Sequence, residues 1–569
     1  MKWLDWLVLV GTIAAIVGYG SWRDRGAKTS DVYLRGGRDL RWWTIGLSIM
    51  ATQASAITFL SMPGQAYEDG MGFLQFYFGL PIAMVILSAF FLPLYYRLKV
   101  YTAYEFLEQR FDRKTRQLTA ILFLVSRSLA AGVSIYAPAI VLSTVLGWPL
   151  QWTNLVIGTV TIVYTVSGGT RVVSRTQTFQ MIVMLAGMAL AFFFIRRQLP
   201  ADLSLDHAVH LAGTLGKMKI VDYAWRFDRR YTFWSGMTGG LFVALAYFGT
   251  DQSQVQRYLG GASLTESRLG LVFNGILKLP MQFLILFVGV LLFVFYLFHQ
   301  PPLFFNQGEW QRAHAGPRAA DAQRLDGEWD AAFAQRRRAV DAYTAALASG
   351  DDARQSAAAE QLRAGGAATD GVRTRAKKLL SETRGSDIKD QDYIFIGFVM
   401  SQFPSGIIGL LLAVIVCAAM SATASALNSL GSTSVVDFYR AWRPGREDRE
   451  YLNAAKWLTV FWGLCAVAFA AFAAQLDNLI QAVNILGSLF YGPMLGVFLI
   501  AFFLKFIRAT PVFIATLIGQ ACVFLTFRLT SWTYLWYNVV GCVAVVVAAL
   551  LVNIVLPRPP SLAPEATNK

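Results

Sequence analysis

Histidine, cysteine and charge are all scarce: the 569 residues include four His and four Cys, and 15% are Asp, Glu, Lys or Arg. The cysteines, Cys417, Cys465, Cys522 and Cys542, lie apart in apolar runs, with neither metal-ligand nor redox spacing, and read as small core residues. The histidines, His207, His210, His299 and His314, all fall in polar connecting segments, which leaves no histidine proton relay inside an apolar run. His207 and His210 lack a third ligand and read as solvent-exposed. There is no Gly-x-x-x-x-Gly-Lys-Ser/Thr phosphate loop, and no His/Glu cluster or nucleophile-base pair within an apolar run. Nucleotide-driven machinery and intramembrane enzymes are thereby set aside, and the sequence requires no organic cofactor.

Apolar sequence is abundant. Hydrophobic residues make up 55% of the chain, the mark of an all-α polytopic protein embedded in a lipid bilayer. Windows of about 20 apolar residues give thirteen spans: 3–22, 42–61, 71–97, 117–145, 150–167, 174–195, 232–250, 268–298, 394–425, 451–475, 478–504, 509–528 and 533–556. The first is expected as an uncleaved helix, because arginines follow it directly and no clear small-x-small cleavage site is present. The connecting loops divide by charge. One set carries Arg23, Arg25, Lys28, Arg35, Arg38 and Arg41, then Arg97, Lys99, Arg110, Arg113, Lys114 and Arg116, then Arg440, Arg443, Arg446, Arg449 and Lys456. The loops at 62–70 and 146–149 carry no Lys or Arg. By the positive-inside rule the first set is cytoplasmic, with the N-terminus outside and the C-terminus inside a bacterial plasma membrane. The basic loop at 196–231, expected outside, runs against the rule. The net charge of +15 belongs to this topology and to anionic lipid, not to nucleic acid.

Residues 301–392 break the apolar pattern with an Ala-rich insert holding fourteen Lys/Arg and fourteen Asp/Glu. Leu325, Trp329, Phe333, Arg336, Val340, Tyr343 and Leu347 recur at helical spacing, and Ser349-Gly350-Asp351 is a turn signal. A second helical stretch runs to about Thr383, with Gly365-Gly366 expected to interrupt it. The pattern predicts a helical hairpin outside the membrane. Two readings stay open: a spacer or cap over the outer mouth, and a docking surface for a periplasmic or outer-membrane partner.

Two apolar spans are interrupted by small and polar residues, Met50-Ala51-Thr52-Gln53-Ala54-Ser55-Ala56-Ile57-Thr58 and Ala418-Ala419-Met420-Ser421-Ala422-Thr423-Ala424-Ser425. A lipid-facing helix has no use for such a run. A helix lining an ion or solute site does, because unwound backbone and hydroxyl oxygens can replace a water shell.

Further motifs accompany these: Leu34-Arg35-Gly36-Gly37-Arg38-Asp39-Leu40, Thr102-Ala103-Tyr104-Glu105-Phe106-Leu107-Glu108-Gln109-Arg110-Phe111, Ser167-Gly168-Gly169 and Thr250-Asp251-Gln252-Ser253-Gln254-Val255-Gln256-Arg257. Leu277-Lys278-Leu279-Pro280, Ala426-Leu427-Asn428-Ser429 and Tyr491-Gly492-Pro493-Met494-Leu495-Gly496-Val497-Phe498 follow. In this order, over about 1–300 and 390–510, the chain resembles the sodium/solute symporter family. The resemblance implies the LeuT fold, a 5+5 inverted repeat with its site between the repeats. The expected division is an extra helix and loop at 1–41, a first repeat at 42–196, an external loop at 197–231, a second repeat at 232–300 and 393–504 divided by the 301–392 insert, and two C-terminal helices with a tail at 505–569.

The resemblance also implies a sodium site at Ala51, Ala54, Ala418, Ser421 and Ala422, built from carbonyls of the first broken span and hydroxyls of the later one. Ala422 stands where the family carries a second hydroxyl, with Thr423 or Ser425 as auxiliary candidates. Gln177 follows Arg175-Thr176 where the family carries a carboxylate, so a neutral amide replaces a group that supports ion coupling. Gln53, Ser55, Thr58, Gln75, Phe76, Tyr77, Tyr247, Phe248 and Asn484 are the polar and aromatic candidates for solute contact. Ile57-Thr58 stands where sugar-carrying relatives have Glu-Gln, which disfavours a similar hexose. Arg127 and Lys278 fall deep in their spans with no Asp or Glu evident at like depth. They either bond backbone carbonyls or meet an anionic solute. The expected function is secondary active transport, sodium-coupled symport of a small solute by alternating access. A solute sensor acting through a partner and a proton-coupled or uncoupled carrier are the alternatives.

Overall fold

The structure, a computed structural model, describes residues 1–23, 33–34, 39–98, 100–384, 390–473 and 479–556. The loop cations Arg25, Lys28, Lys99, Arg35 and Arg38 and the tail 557–569 lie outside the described residues. Helices account for the described architecture: α1 (Trp3–Arg23), α2 (Trp42–Gln53), α3 (Ala56–Asp69), α4 (Arg113–Leu146), α5 (Leu150–Gln198), α6 (Gly240–Thr250), α7 (Gln252–Leu259) and α8 (Leu264–Phe298). After the insert helices α9 (Ala319–Ser349) and α10 (Asp352–Arg384) come α11 (Gln391–Gln402), α12 (Ile407–Thr433), α13 (Asp448–Ala470), α14 (Leu479–Phe503), α15 (Ala509–Leu529) and α16 (Tyr534–Val555).

Among the described residues nine helical stretches are long and apolar enough to cross a membrane, with Trp3–Ile16 and Leu150–Val166 as shorter apolar helices. The thirteen expected spans are corrected in two places. The 42–61 span divides into α2 and α3, and α3 continues to Asp69. The 232–250 span ends where expected, before Asp251, whose extended backbone separates α6 from α7 and whose side chain accepts the Ser253 amide at 2.8 Å. The 394–425 span is two helices, because Pro404 and Gly406 (φ 90°) intervene between α11 and α12. The expected division of 150–195 is present as a kink inside α5 at Gly169, with φ 62° and ψ −172°.

The Ala418–Ser425 run, expected as an interruption, is continuous helix inside α12. Alanine is the strongest helix former, and no glycine or proline interrupts this stretch. Helix α12 is the central strut, packed against α1, α4, α5 and α13 and buried along 89% of its most apolar window. The corresponding window of α13 is 28% buried and those of α15 and α16 are 33% buried, so these helices form the periphery that meets lipid.

The two ends of the bundle differ. At one, Arg116 joins Asp437 at 2.7 Å and donates to the Val436 carbonyl at 2.8 Å, while Arg110 donates to the Lys505 carbonyl at 2.6 Å. This basic end also receives the last turn of α16, where Arg508 donates to the Leu556 carbonyl at 2.7 Å. The start of α1 is at the opposite end, where the Asp5 carboxylate accepts the amides of Gly406 (2.6 Å) and Gly409 (3.3 Å) at the N-terminus of α12. That second end carries the insert. α9 and α10 form an antiparallel hairpin turning at Gly350 (φ 66°). Gly365-Gly366 does not interrupt α10: a Cβ on Gly365 would stand 3.1 Å from the Arg336 Cα, so its bare Cα permits close passage of α9.

Candidate transport site

The break between α2 and α3 releases backbone oxygens. The Ser55 amide bonds the Gln53 carbonyl and the Thr58 amide bonds the Ser55 carbonyl, which diverts both donors from their usual i−4 acceptors, Ala51 and Ala54. Ser421 on α12 fills part of the gap, its hydroxyl donating to the Ala51 carbonyl at 3.1 Å. Ala418 and Ala422 lie on the same face of α12 as Ser421 and, like Ala51 and Ala54, are buried.

Gln177 on α5 closes this polar cluster. Its Nε2 donates to Ser425 Oγ (2.6 Å), Thr52 Oγ1 (3.1 Å) and the Ser421 carbonyl (3.1 Å), while its Oε1 accepts from Ser48 Oγ at 2.5 Å. An amide donor thus points into oxygens that a cation would also seek. Ser425 is engaged by this amide. Thr423 is buried, and no hydrogen bond joins it to the cluster among the described residues.

Beyond the break lies a cavity with about 790 Å³ of empty space, open solvent at its mouth included. Gln53, Ser55, Thr58, Phe76, Tyr77, Tyr247, Phe248 and Asn484 line it, eight of the ten side chains singled out for solute contact. The other two point elsewhere. Gln75 is spent on structure, donating to the carbonyls of Gly72 and Tyr231 and accepting the Asp222 amide. Lys278 is fully buried behind the wall, its Nζ without a hydrogen-bond partner among the described residues and 5.5 Å from the Tyr77 ring.

The expected lack of an acidic partner for Arg127 is corrected. Arg127 reaches Asp251 at 3.6 Å, at the break between α6 and α7, and its guanidinium stands 5.7 Å from the Tyr247 ring. Tyr491 donates to Asp251 at 3.0 Å and Gln254 donates to the Tyr247 hydroxyl at 2.8 Å. Asp251 closes its span in sequence, and only the return of the chain brings it against α4. Arg127, offered in the sequence for an anionic solute, and Ile57, at the position where sugar-carrying relatives have Glu, also line the cavity, as do Leu80, Val243, Ile480 and Tyr491, which the sequence did not single out for it. Among the described residues three buried polar atoms of the lining have no hydrogen-bond partner: Gln53 Oε1, Asn484 Nδ2 and Arg127 Nε. Buried polar atoms normally find partners, so these three have bonding capacity left over.

The sodium:solute symporter family profile matches residues 33–320 and 375–519. The chain belongs to this family. The Xenopus laevis sodium-coupled monocarboxylate transporter 1 is 34% identical over 283 residues, 48% of this chain and 43% of that protein. The human sodium/iodide cotransporter is 31% identical over 295 residues, 51% of this chain and 45% of that protein. The chain therefore spans about half the length of these two curated relatives. The Proteus mirabilis sodium/sialic acid symporter SiaT is 24% identical over 560 residues, covering 96% and 94% of the two chains. The solved structure of a substrate-bound, outward-open, Na+-coupled sialic acid symporter superposes with a TM-score of 0.75 over 98% of both chains at 22% identity. That likeness shows the fold, the LeuT-like arrangement implied by the motifs. The gap in the family match, 321–374, falls on α9 and most of α10, so the hairpin is an elaboration on the family body.

Proposed function

We propose that the protein is a secondary active symporter in which sodium drives uptake of a small organic anion by alternating access between the two ends of the bundle. The observation that carries this reading is the Ser421 hydroxyl meeting the Ala51 carbonyl at 3.1 Å beside carbonyls released by the helix break. Hard oxygen donors at mid-bundle suit a small hard cation. Ala51, Ala54, Ala418, Ser421 and Ala422 are its proposed surroundings.

An anionic solute is supported by the unpartnered Arg127 Nε on the cavity wall, and by the relatives' printed solutes: monocarboxylate, iodide and sialic acid carry negative charge at neutral pH. Gln53 and Asn484 would orient it, with Phe76, Tyr77, Tyr247 and Phe248 as apolar walls. The amide of Gln177 favours a single coupling ion, because its N–H groups already serve the Ser425 and Thr52 hydroxyls. We place the arginine-rich end in the cytoplasm and the hairpin outside, on the charge rule of the loops. There the hairpin acts as a cap, since its side chains bond the bundle beneath: Arg336 donates to the Tyr296 carbonyl of α8 at 3.1 Å, and Lys377 pairs with Glu68 of α3 at 2.9 Å.

The test is thermal stabilisation of the purified full-length protein by a library of carboxylates, sugars, amino acids and nucleosides, each in sodium and in potassium. A carboxylate that stabilises only in sodium is the expected result. Equal stabilisation in both salts would favour an uncoupled or proton-coupled carrier or a sensor, the reading to which Ala422 and Gln177 point.

A further inference from the structure

A second cavity, with about 650 Å³ of empty space, open solvent at its mouth included, lies where the hairpin meets the ends of α3 and α8, and it shares no lining residue with the central one. Its cationic side chains are of two kinds. Arg373 and Lys377 of α10 are already matched: Arg373 pairs with Asp390 (2.7 Å) and Glu68 (3.3 Å), and Lys377 with Glu68 (2.9 Å) and Asp390 (3.6 Å). Arg336 and Lys217 are not. Among the described residues no Asp or Glu oxygen stands within 4 Å of either.

Arg336 of α9 is 5% exposed. It donates to Thr369 Oγ1 at 3.2 Å and to the Tyr296 carbonyl at 3.1 Å, while its Nε is buried without a partner. The Lys217 ammonium donates to the Glu68 carbonyl and stands 4.7 Å from the Phe293 ring. Burial holds both groups below their ordinary pKa ranges, against the pull of Asp370 and other nearby charges. A buried guanidinium that satisfies neutral acceptors but meets no carboxylate has bonding and charge left over for an anion. Three rings, Tyr67, Phe293 and Trp329, form apolar walls beside it.

We propose that this cavity is an anion-binding site for a small monocarboxylate, its carboxylate held by Arg336 and Lys217 and its apolar part lying against Tyr67, Phe293 and Trp329. Asp370 also lines the space and is not ion-paired within 4 Å among the described residues; its charge offsets part of the field of Arg336 and Lys217, so a solute with one negative charge is favoured over one with two. The site forms where the hairpin meets the shared body: Trp329, Arg336, Asp370 and Arg373 fall in the stretch that the family profile skips, whereas Tyr67, Lys217 and Phe293 fall in the part it matches.

The test is a fluorescence titration of the full-length protein with sodium butyrate against sodium chloride at fixed total sodium, read as the difference between the native protein and Trp329→Phe. A saturable, butyrate-dependent signal that requires Trp329 is expected. Arg336→Gln should weaken it about ten-fold or more, while Asn484→Ala, in the wall of the central cavity and outside the Arg127–Asp251 pair, should leave it in place. Phosphate and succinate should compete poorly. Because Arg336 also ties the hairpin together, Lys217→Met provides an independent weakening without those bonds. The proposal is overturned by a flat Trp329-dependent titration in the native protein, by equal response to chloride, or by loss of the signal in Asn484→Ala and not in Arg336→Gln. That last pattern would assign the binding to the central cavity, so the two sites succeed or fail separately.

Discussion

Ser421 and Gln177 engage different oxygens of one polar cluster, the Ala51 carbonyl and the Ser425 and Thr52 hydroxyls, and substitutions at the two positions should have opposite signatures. Ser421→Ala removes a hydroxyl beside the Ala51 carbonyl. It is expected to raise several-fold the sodium concentration for half-maximal uptake in proteoliposomes, with little change in protein abundance; unchanged sodium curves would remove Ser421 from the ion site. Gln177→Asp exchanges an amide donor for a carboxylate facing Ser425 and Thr52. An added cation is then expected, seen as a larger sodium-dependent thermal shift and a steeper sodium dependence of uptake. Arg127 and Asp251 form a buried pair at 3.6 Å, and removing one partner strands the other. Asp251→Asn should destabilise the protein by about 3–5 kcal/mol. The double variant Arg127→Met with Asp251→Asn should recover much of that stability, measured by thermal unfolding, without recovering stabilisation by carboxylates.

Close helix contacts carry their own prediction. A Cβ on Gly64 of α3 would stand 2.0 Å from the Gln391 carbonyl oxygen, and one on Gly289 of α8 would stand 2.2 Å from that of Pro63. Both obstacles are backbone and cannot rotate away, so Gly64→Ala and Gly289→Ala should each cost about 1–3 kcal/mol by overpacking, measured as a fall in unfolding temperature. Periodicity made the hairpin legible in the sequence, since the Leu325-to-Leu347 stripe has helical spacing and the turn falls at Gly350. Gly365-Gly366 was misread because a helix tolerates the glycine penalty, about 1 kcal/mol each, where a neighbouring backbone passes close. The small-polar runs in α2 and α12 look alike, yet one breaks and the other does not. Local composition states that such a run lines something; the diverted amides of Ser55 and Thr58, fixed by packing, decide which of them unwinds. The pairing of Arg127 with Asp251 was equally out of reach, since nothing in the sequence says that α4 will lie against the α6–α7 break.

Across the whole molecule, the hairpin is fastened to the end of α3 through Glu68, which pairs with Arg373 and Lys377. Helix α3 begins at the cavity with Ala56, Ile57 and Thr58, so one helix links the two cavities. Glu68→Gln should loosen this attachment: faster tryptic cleavage within 352–384 is expected, and high salt should accelerate cleavage of the native protein toward the same rate, because these pairs are partly solvent-accessible. A cleavage rate indifferent to both changes would mean that the apolar hairpin contacts alone hold it down.

The Asp5 carboxylate and the Gly406 amide that it accepts are 401 residues apart. During synthesis at about 5–20 residues per second, α1 is complete roughly 20–80 s before its partner exists. Throughout that interval a carboxylate near the start of α1 has no α12 terminus to meet, and it must remain at the aqueous boundary. Helix α1 is thus finished long after it is made, and its docking reports that the chain has been threaded as far as α12.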